Sequence, residues 1–416
     1  MAIWNRAREC CEREERAQEQ WEHLQITLNR AYKNVPFYRN RLQSRAIAPP
    51  RVESLTDLRR IPFTARHDFS DQYPYGLFAV PLRDIVRIHT APGTSLNPTV
   101  SGYTRSDLRM WREIAATGLA ACGVGADDIM QIILDPGLAN WGRDYKDGAE
   151  ELGASVIPLN ALHLKKQLMV LRDYKISVLI TTPTSAVELL ELLYAINLNP
   201  NALALRVLIL VGEPLAAEVR RQLEDELHVS CWCHYGLSEI PGPAVAFECE
   251  QHRGLHLQED HFLAEILTDS GEAIENGEPG ELILTTLTTR AFPLIRFRTG
   301  DRARIISEPC ACGRTLKRIE WLPERADGML VFRGVKLHDE QILAHVEHVL
   351  GTVPRSWRIR LEKEGARREL VLSLAMDERL FSDEIKELEQ VVWRLESELL
   401  QELGIPVAVR LQERLE

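Results

Sequence analysis

The chain has 416 residues with a formal charge of −11, more than one hydrophobic core usually fills and too acidic for a surface that holds nucleic acid or an anionic bilayer. Hydrophobic residues make up 45% and charged ones 27%, the composition of an ordinary soluble globular protein. No apolar run approaches the roughly 18 residues that a spanning helix needs. The Glu-, Arg- and Gln-rich stretch from Arg6 to Glu22 is not a signal peptide, so a cytoplasmic protein is expected. The eight cysteines are too unevenly spaced to suggest a disulfide framework.

Residues 1–48 read as one or two charged helices that stop at Lys33-Asn34-Val35-Pro36-Phe37-Tyr38. From about 108 to 230, helical patterns alternate with short apolar strands at Ile129–Leu134, Ala154–Pro158, Val178–Thr181 and Arg206–Val211. That alternation predicts a doubly wound sheet. The last of these runs closes on Gly212-Glu213-Pro214, and a further burst, Val229 to Tyr235, ends at Gly236. Such strand ends are where open α/β sheets place ligands. Between about 256 and 322 the pattern turns strand-rich, predicting a smaller β-subdomain. A new unit begins after Arg325-Ala326-Asp327-Gly328-Met329, with strands near 356–362 and 369–375, an amphipathic helix from about 381 to 402 and a last strand at Pro406–Leu411.

Cys231-Trp232-Cys233-His234-Tyr235-Gly236-Leu237-Ser238-Glu239, followed by Phe297-Arg298-Thr299-Gly300-Asp301, resembles the adenylate-forming superfamily, specifically its phenylacetate–CoA ligase branch. Asn34-Val35-Pro36-Phe37-Tyr38, Ile61-Pro62-Phe63-Thr64 and Tyr73-Pro74-Tyr75-Gly76 match the same group. The resemblance covers nearly the whole chain. It implies an α/β adenylate-forming fold: a large N-terminal domain, residues 1–326, with doubly wound sheets and a β-subdomain, and a small mobile α+β domain, residues 327–416, pivoting at Asp327. It also implies that Glu213, Tyr235, Gly236, Ser238, Glu239, Asp301 and Arg325 line the acyl and nucleotide pocket. Glu239 would be the magnesium carboxylate and Asp301 the ribose acceptor. A loop with Arg333, Gly334 and Lys336 would swing in to line the pantetheine channel, and relatives are commonly homodimers.

Two departures from the family pattern set the expected reaction. The phosphate loop of the family is rich in Ser, Thr and Gly, whereas Ala91-Pro92-Gly93-Thr94-Ser95-Leu96-Asn97-Pro98 has lost its leading serines and its lysine, and Pro92 removes a backbone donor. The lysine expected near the C-terminus does not occur after Lys386, unless Lys336 or Arg333 takes its place. Loss of such a cation costs roughly hundreds-fold in rate. The expectation is therefore an acyltransferase that moves an aryl group, anthraniloyl or similar, from its CoA thioester to the phosphopantetheine of an acyl-carrier protein. The alternatives are an aryl-acid–CoA ligase using ATP and magnesium, and a non-catalytic scaffold that binds the carrier protein.

Cys233, beside His234, is the candidate acyl-accepting thiol. Adjacent strand residues face opposite ways, and cysteine is common in buried strands, so a core thiol is the competing reading. Cys249, His256, Cys310 and Cys312 offer a soft tetrahedral ligand set, and the resemblance implies a structural zinc there; His252 and His261 compete with His256. Trp141 and Tyr145, four residues apart, read as reshaping the acyl pocket or packing the core.

Overall fold

A computed structural model describes residues 3–52, 54–91, 98–157, 164–240, 242–274, 277–364, 367–376 and 385–413. The loop Pro92–Asn97, on which the phosphate-cradle reading rests, lies outside them. It is flanked by an antiparallel pair, β1 (Arg87–Ala91) and β2 (Thr99–Tyr103), with Ala91 opposite Thr99.

The apolar runs read from the sequence form one side of a single large sheet. β3 (Ile129–Ile132), β4 (Ser155–Ile157), β5 (Val178–Thr181), β6 (Val207–Val211) and β7 (Ser230–Leu237) are parallel, in the order β4-β3-β5-β6-β7. Every residue of β5 and β6 is buried, as expected of central parallel strands covered on both faces. The crossover helices begin at local signals. Thr104 caps the Arg105–Ala121 helix in a reciprocal pair with Asp107, and Thr182 with Pro183 behind it opens the Pro183–Ala195 helix.

The strand-rich segment is not a detached subdomain; it extends the same sheet. β8 (Gly242–Phe247), β9 (Leu255–Leu257), β10 (Phe262–Leu267), β11 (Gly280–Thr286), β12 (Phe297–Ile306) and β13 (Arg318–Arg325) add antiparallel pairs beyond β7, in the order β8-β9-β13-β12-β11-β10. The sheet thus has 11 strands, and pairing Asp301 with Arg325 across β12 and β13 puts opposite charges side by side.

After Arg325 the chain builds a hydrophobic cluster of its own, separate from those around the large sheet. A hairpin of β14 (Leu330–Phe332) and β15 (Val335–Leu337) precedes the Asp339–Leu350 helix. β16 (Trp357–Glu364), β17 (Arg367–Ala375) and β18 (Ala408–Gln412) form a three-stranded sheet. The Ile385–Leu403 helix lays Leu395, Leu399 and Leu403, one turn apart, into this cluster.

Candidate active site

The site forms where β6 and β7 end. Just past β6, Glu213 is fully buried; its Oε2 accepts from Thr184 N at 3.1 Å and Thr184 Oγ1 at 2.7 Å, and its Oε1 from Arg333 N at 2.6 Å. Burial raises its carboxyl against those hydrogen bonds. Just past β7, Ser238 and Glu239 share a cavity of about 30 Å³ with Arg66, Trp141, Gly236 and Lys336. Tyr235 Oη donates to Asp301 Oδ2 at 2.8 Å, and its ring meets Trp321 edge-on.

Asp301 is the hub. Its Oδ1 accepts from Arg325, and its Oδ2 from Tyr235 and from Lys336 Nζ, the latter at 3.2 Å. Burial alone would push this carboxyl up, but Lys336, Arg325 and Arg66 outweigh it and hold it below the ordinary range. Glu239 follows the same balance, burial against Arg66 and Lys336, and it too stays ionised. Arg66 Nη1 donates to Glu239 Oε1 at 2.5 Å and Nη2 to Thr299 O at 2.6 Å, whereas the buried Glu239 Oε2 has no partner among the described residues. Burial drops the Lys336 ammonium to about 8, with Asp301 opposing the shift.

Lys336 and Arg333 reach this place on the β14–β15 hairpin. Arg333 (φ 48°) and Gly334 (φ 78°) form its two-residue turn, the positive-φ pair that a tight hairpin needs. The turn lies against Gly212: a Cβ on Gly334 would stand 3.1 Å from the Gly212 Cα, and one on Gly212 would stand 2.8 Å from the Gly334 Cα. Both positions must be glycine for the hairpin to sit there. Arg333 locks it, pairing with Asp135 at 3.1 Å and with Glu188. Asp327 accepts from Arg325 Nε at 2.8 Å and from Met329 N at 3.2 Å.

Cys233 and His234 do not form a pair. His234 is buried with Nδ1 at 2.9 Å from Tyr145 Oη and Nε2 at 3.3 Å from Cys122 Sγ, and burial lowers it to about 4. The Cys233 backbone N–H donates to Glu248 Oε2 at 2.8 Å, and burial with the Glu248 charge raises its thiol far above the ordinary value. A neutral imidazole on the opposite face of the strand cannot activate that thiol, so the expected acyl-accepting dyad is corrected to two core residues. Tyr145 packs this core, whereas Trp141 Cη2 comes within 3.4 Å of where a Gly236 Cβ would stand. A larger cavity of about 650 Å³ opens beside Cys233, Glu248, Cys310 and Trp321, but the ionised groups suited to phosphate chemistry converge on the small one.

Cys249, His256, Cys310 and Cys312 come together as expected. Their ligand atoms all lie within 4.8 Å of one another, with 3.6 Å between Cys249 Sγ and Cys310 Sγ and 3.4 Å between Cys312 Sγ and His256 Nε2. Sequence reasoning missed Arg66, which enters the site from the Arg66–Asp71 helix, and Glu188, which together with Asp135 holds Arg333. Arg66 stands two residues past Ile61-Pro62-Phe63-Thr64, so that motif was the available signal.

The profile of the family described as AMP-binding enzyme matches residues 151–288. The chain is 36% identical over 403 residues to phenylacetate–coenzyme A ligase of Thermus thermophilus, covering 94% of this chain and 90% of that protein. It is 38% identical over 327 residues to the protein of the same name from Pseudomonas putida, covering 78% and 74%. The fold superposes on 2-hydroxyisobutyryl-CoA ligase in complex with 2-HIB-AMP and CoA in its thioesterification state, with TM-score 0.89, 24% identity, and 99% and 89% of the two chains covered. Against the same enzyme in its postadenylation state with R3-HIB-AMP the TM-score is 0.73, with 24% identity and 99% and 88% covered.

These relatives overturn the expected aryl-CoA to carrier-protein acyltransferase, because they are named acid–CoA ligases; the carrier-protein partner and the anthraniloyl group go with that reading. The inference had counted missing cations along the sequence. It weighed Lys336 or Arg333 as a replacement but left out Arg66, which folding brings from far upstream to join Arg325 and Lys336 around two buried carboxylates. No helix among the described residues is long and apolar enough to cross a membrane. With the large sheet, the Tyr235–Glu239 and Asp301 constellation and the sequence relatives in agreement, the chain belongs to the phenylacetate–CoA ligase family of AMP-binding enzymes.

Proposed function

We propose that the protein is an ATP-dependent ligase that joins an aryl-type carboxylic acid to coenzyme A through an acyl-adenylate. One observation carries the reading: Asp301 and Glu239, both buried and both kept ionised, stand against Arg325 and Arg66 at the sheet end. A buried cluster of this kind is costly to assemble and suits a substrate that brings phosphates and a ribose. Asp301 would take a ribose hydroxyl and Arg325 would hold Asp301 in place. Glu239, with a buried unpartnered oxygen, fits a magnesium ligand, and the ion would neutralise phosphate charge. The acid would lie on Gly236 against the indole of Trp141.

In the first step a carboxylate oxygen attacks the α-phosphorus and pyrophosphate leaves. In the second the CoA sulfur attacks the acyl carbon and AMP leaves. A cavity of about 330 Å³ between Glu213, Arg325 and Met329 is also lined by Lys363 and Arg368, two cations suited to the phosphates of CoA. The higher TM-score with the thioesterification state, 0.89 against 0.73, and the seated β14–β15 hairpin support a described conformation of the second step. We also propose the division into residues 1–326 and 327–416 with Asp327 as pivot, supported by the separate core that follows it. The test is direct. Purified protein with ATP, magnesium, CoA and a panel of aryl acids should release AMP and form the CoA ester only when all components are present. Absence of ester with every acid in that panel would remove the reading.

The four-ligand cluster is proposed to hold a structural zinc. A tetrahedral site with Zn–S bonds of about 2.3 Å has edges of about 3.8 Å, close to the 3.6 Å and 3.4 Å separations found. His256 Nδ1 lies 3.4 Å from Leu316 O, which leaves Nε2 facing the sulfurs. Elemental analysis should find one zinc per chain, and Cys312→Ser should lose it together with several degrees of Tm. Metal-free protein with unchanged Tm would reject the site.

A further inference from the structure

We propose that Lys336 is a catalytic cation of the thioester-forming step, carried into the site by the β14–β15 hairpin and withdrawn whenever the hairpin leaves. The inference rests on the ligase reading above and adds a residue and a step to it.

Three observations support it. Lys336 lines the same small cavity as Gly236, Ser238 and Glu239, although it comes from the part of the chain that follows Asp327. It gets there only because Gly212 and Gly334 let two backbones touch and because Arg333 is clamped by Asp135 and Glu188. Finally, an ammonium has three donors, and among the described residues Nζ has one hydrogen-bond acceptor, Asp301 Oδ2 at 3.2 Å. An ammonium only 13% exposed, with two donors unmatched among the described residues and lining the same cavity as Glu239, is placed to donate to a ligand there. The groups facing it are Asp301 from β12, Arg325 from β13, Glu239 after β7, and Arg66 from the helix of residues 66–71. With Asp327 also paired with Arg325 and near Arg66, three carboxylates and three cations balance there, and what Lys336 offers a ligand is its two unmatched donors.

The second half-reaction develops a negative charge that these donors can take up. As the sulfur–carbon bond forms, the bond between the acyl carbon and the phosphate oxygen breaks, and AMP departs with the electron pair. The thiol proton passes to water. The phosphate of an acyl-adenylate carries one negative charge, and that of free AMP carries nearly two. A cation present only in the conformation that performs this step stabilises its transition state without tightening the adenylation ground state.

The test separates the two half-reactions in full-length protein. Acyl-adenylate formation is read as pyrophosphate release without CoA. Thioester formation is read as single-turnover rates from preformed acyl-adenylate at saturating CoA. Lys336→Gln should leave the first within about two-fold and slow the second by roughly 100-fold; Lys336→Arg, which keeps the charge, should recover most of that loss. Gln and wild-type proteins making thioester at equal rates would overturn the proposal, as would a Gln variant impaired equally in both halves. If wild-type protein fails in both, the ligase reading itself falls. Equal Tm values for Gln and Arg variants show that a difference between them is not a folding effect.

Discussion

The middle and the end of one strand, β7, treat buried ionisable groups in opposite ways. In the middle, Cys233 and His234 are enclosed and neutral: His234 is tied to Tyr145 and Cys122, and the Cys233 thiol is held protonated by burial and the Glu248 charge. At the end, Glu239 and its neighbour Asp301 are equally buried and yet stay ionised, because Arg66, Arg325 and Lys336 stand beside them. Burial by itself silences a titratable group. Burial next to fixed opposite charge preserves it, and a donor or acceptor left unmatched there is what a substrate can use.

Experiments can press on that contrast, and the largest effect is expected where the charged end is assembled. Gly334→Val places a side chain against Gly212 and Leu138 at a positive φ, so the hairpin cannot seat. CoA-ester formation should fall about 1,000-fold or more, while CoA-independent pyrophosphate release changes little; a parallel fall in both would show that the turn matters only for folding. Smaller is the effect in the neutral middle. Free imidazole takes its proton near 6.5, whereas His234 in the fold does so only near 4. As pH falls between those values the unfolded chain binds the proton first, so stability is lost on acidification, by about 3 kcal/mol once pH 4 is passed. His234→Leu should lower the Tm at pH 8 through the unmatched Tyr145 hydroxyl, yet lose less of it between pH 6.5 and 4; equal slopes would mean that His234 does not titrate this way. Least of all should follow from Cys233→Ala. Ligase turnover is expected within about two-fold of wild type, since a neutral buried thiol has no part in transfer, and intact mass should show no acyl adduct on either protein. An adduct on wild type alone would return Cys233 to the chemistry.

The strands and helices were largely legible because they follow from local pattern. Val207–Val211 is apolar at every position and becomes a strand buried on both faces. The tail elements fall close to where periodicity puts them, with β16, β17 and β18 at 357–364, 367–375 and 408–412. The strand-rich segment was read as a separate unit because pairing partners leave no local trace: β9 joins β13 across more than sixty residues and closes both halves into one sheet. The motif residues were visible, but the reaction drawn from them was not sound. Counting what Ala91–Pro98 and the tail lack outweighed Lys336 and Arg333 as replacements and did not register Arg66, which arrives from far upstream.

By itself the sequence determined which segments would be strands and helices, because hydrophobic period, caps and turn residues act over a few positions; that Tyr235–Glu239 and Asp301 share a pocket followed only from the resemblance to the phenylacetate–CoA ligase family, and the four soft ligands from their spacing together with that resemblance. Only the tertiary structure decided which charges share a cavity, that Arg66 is among them, and that Cys233 and His234 are held neutral with no hydrogen bond between their side chains. Ionisation depends on distance and burial, and both are set by chain segments hundreds of residues apart, such as Arg66 and Lys336 around Asp301.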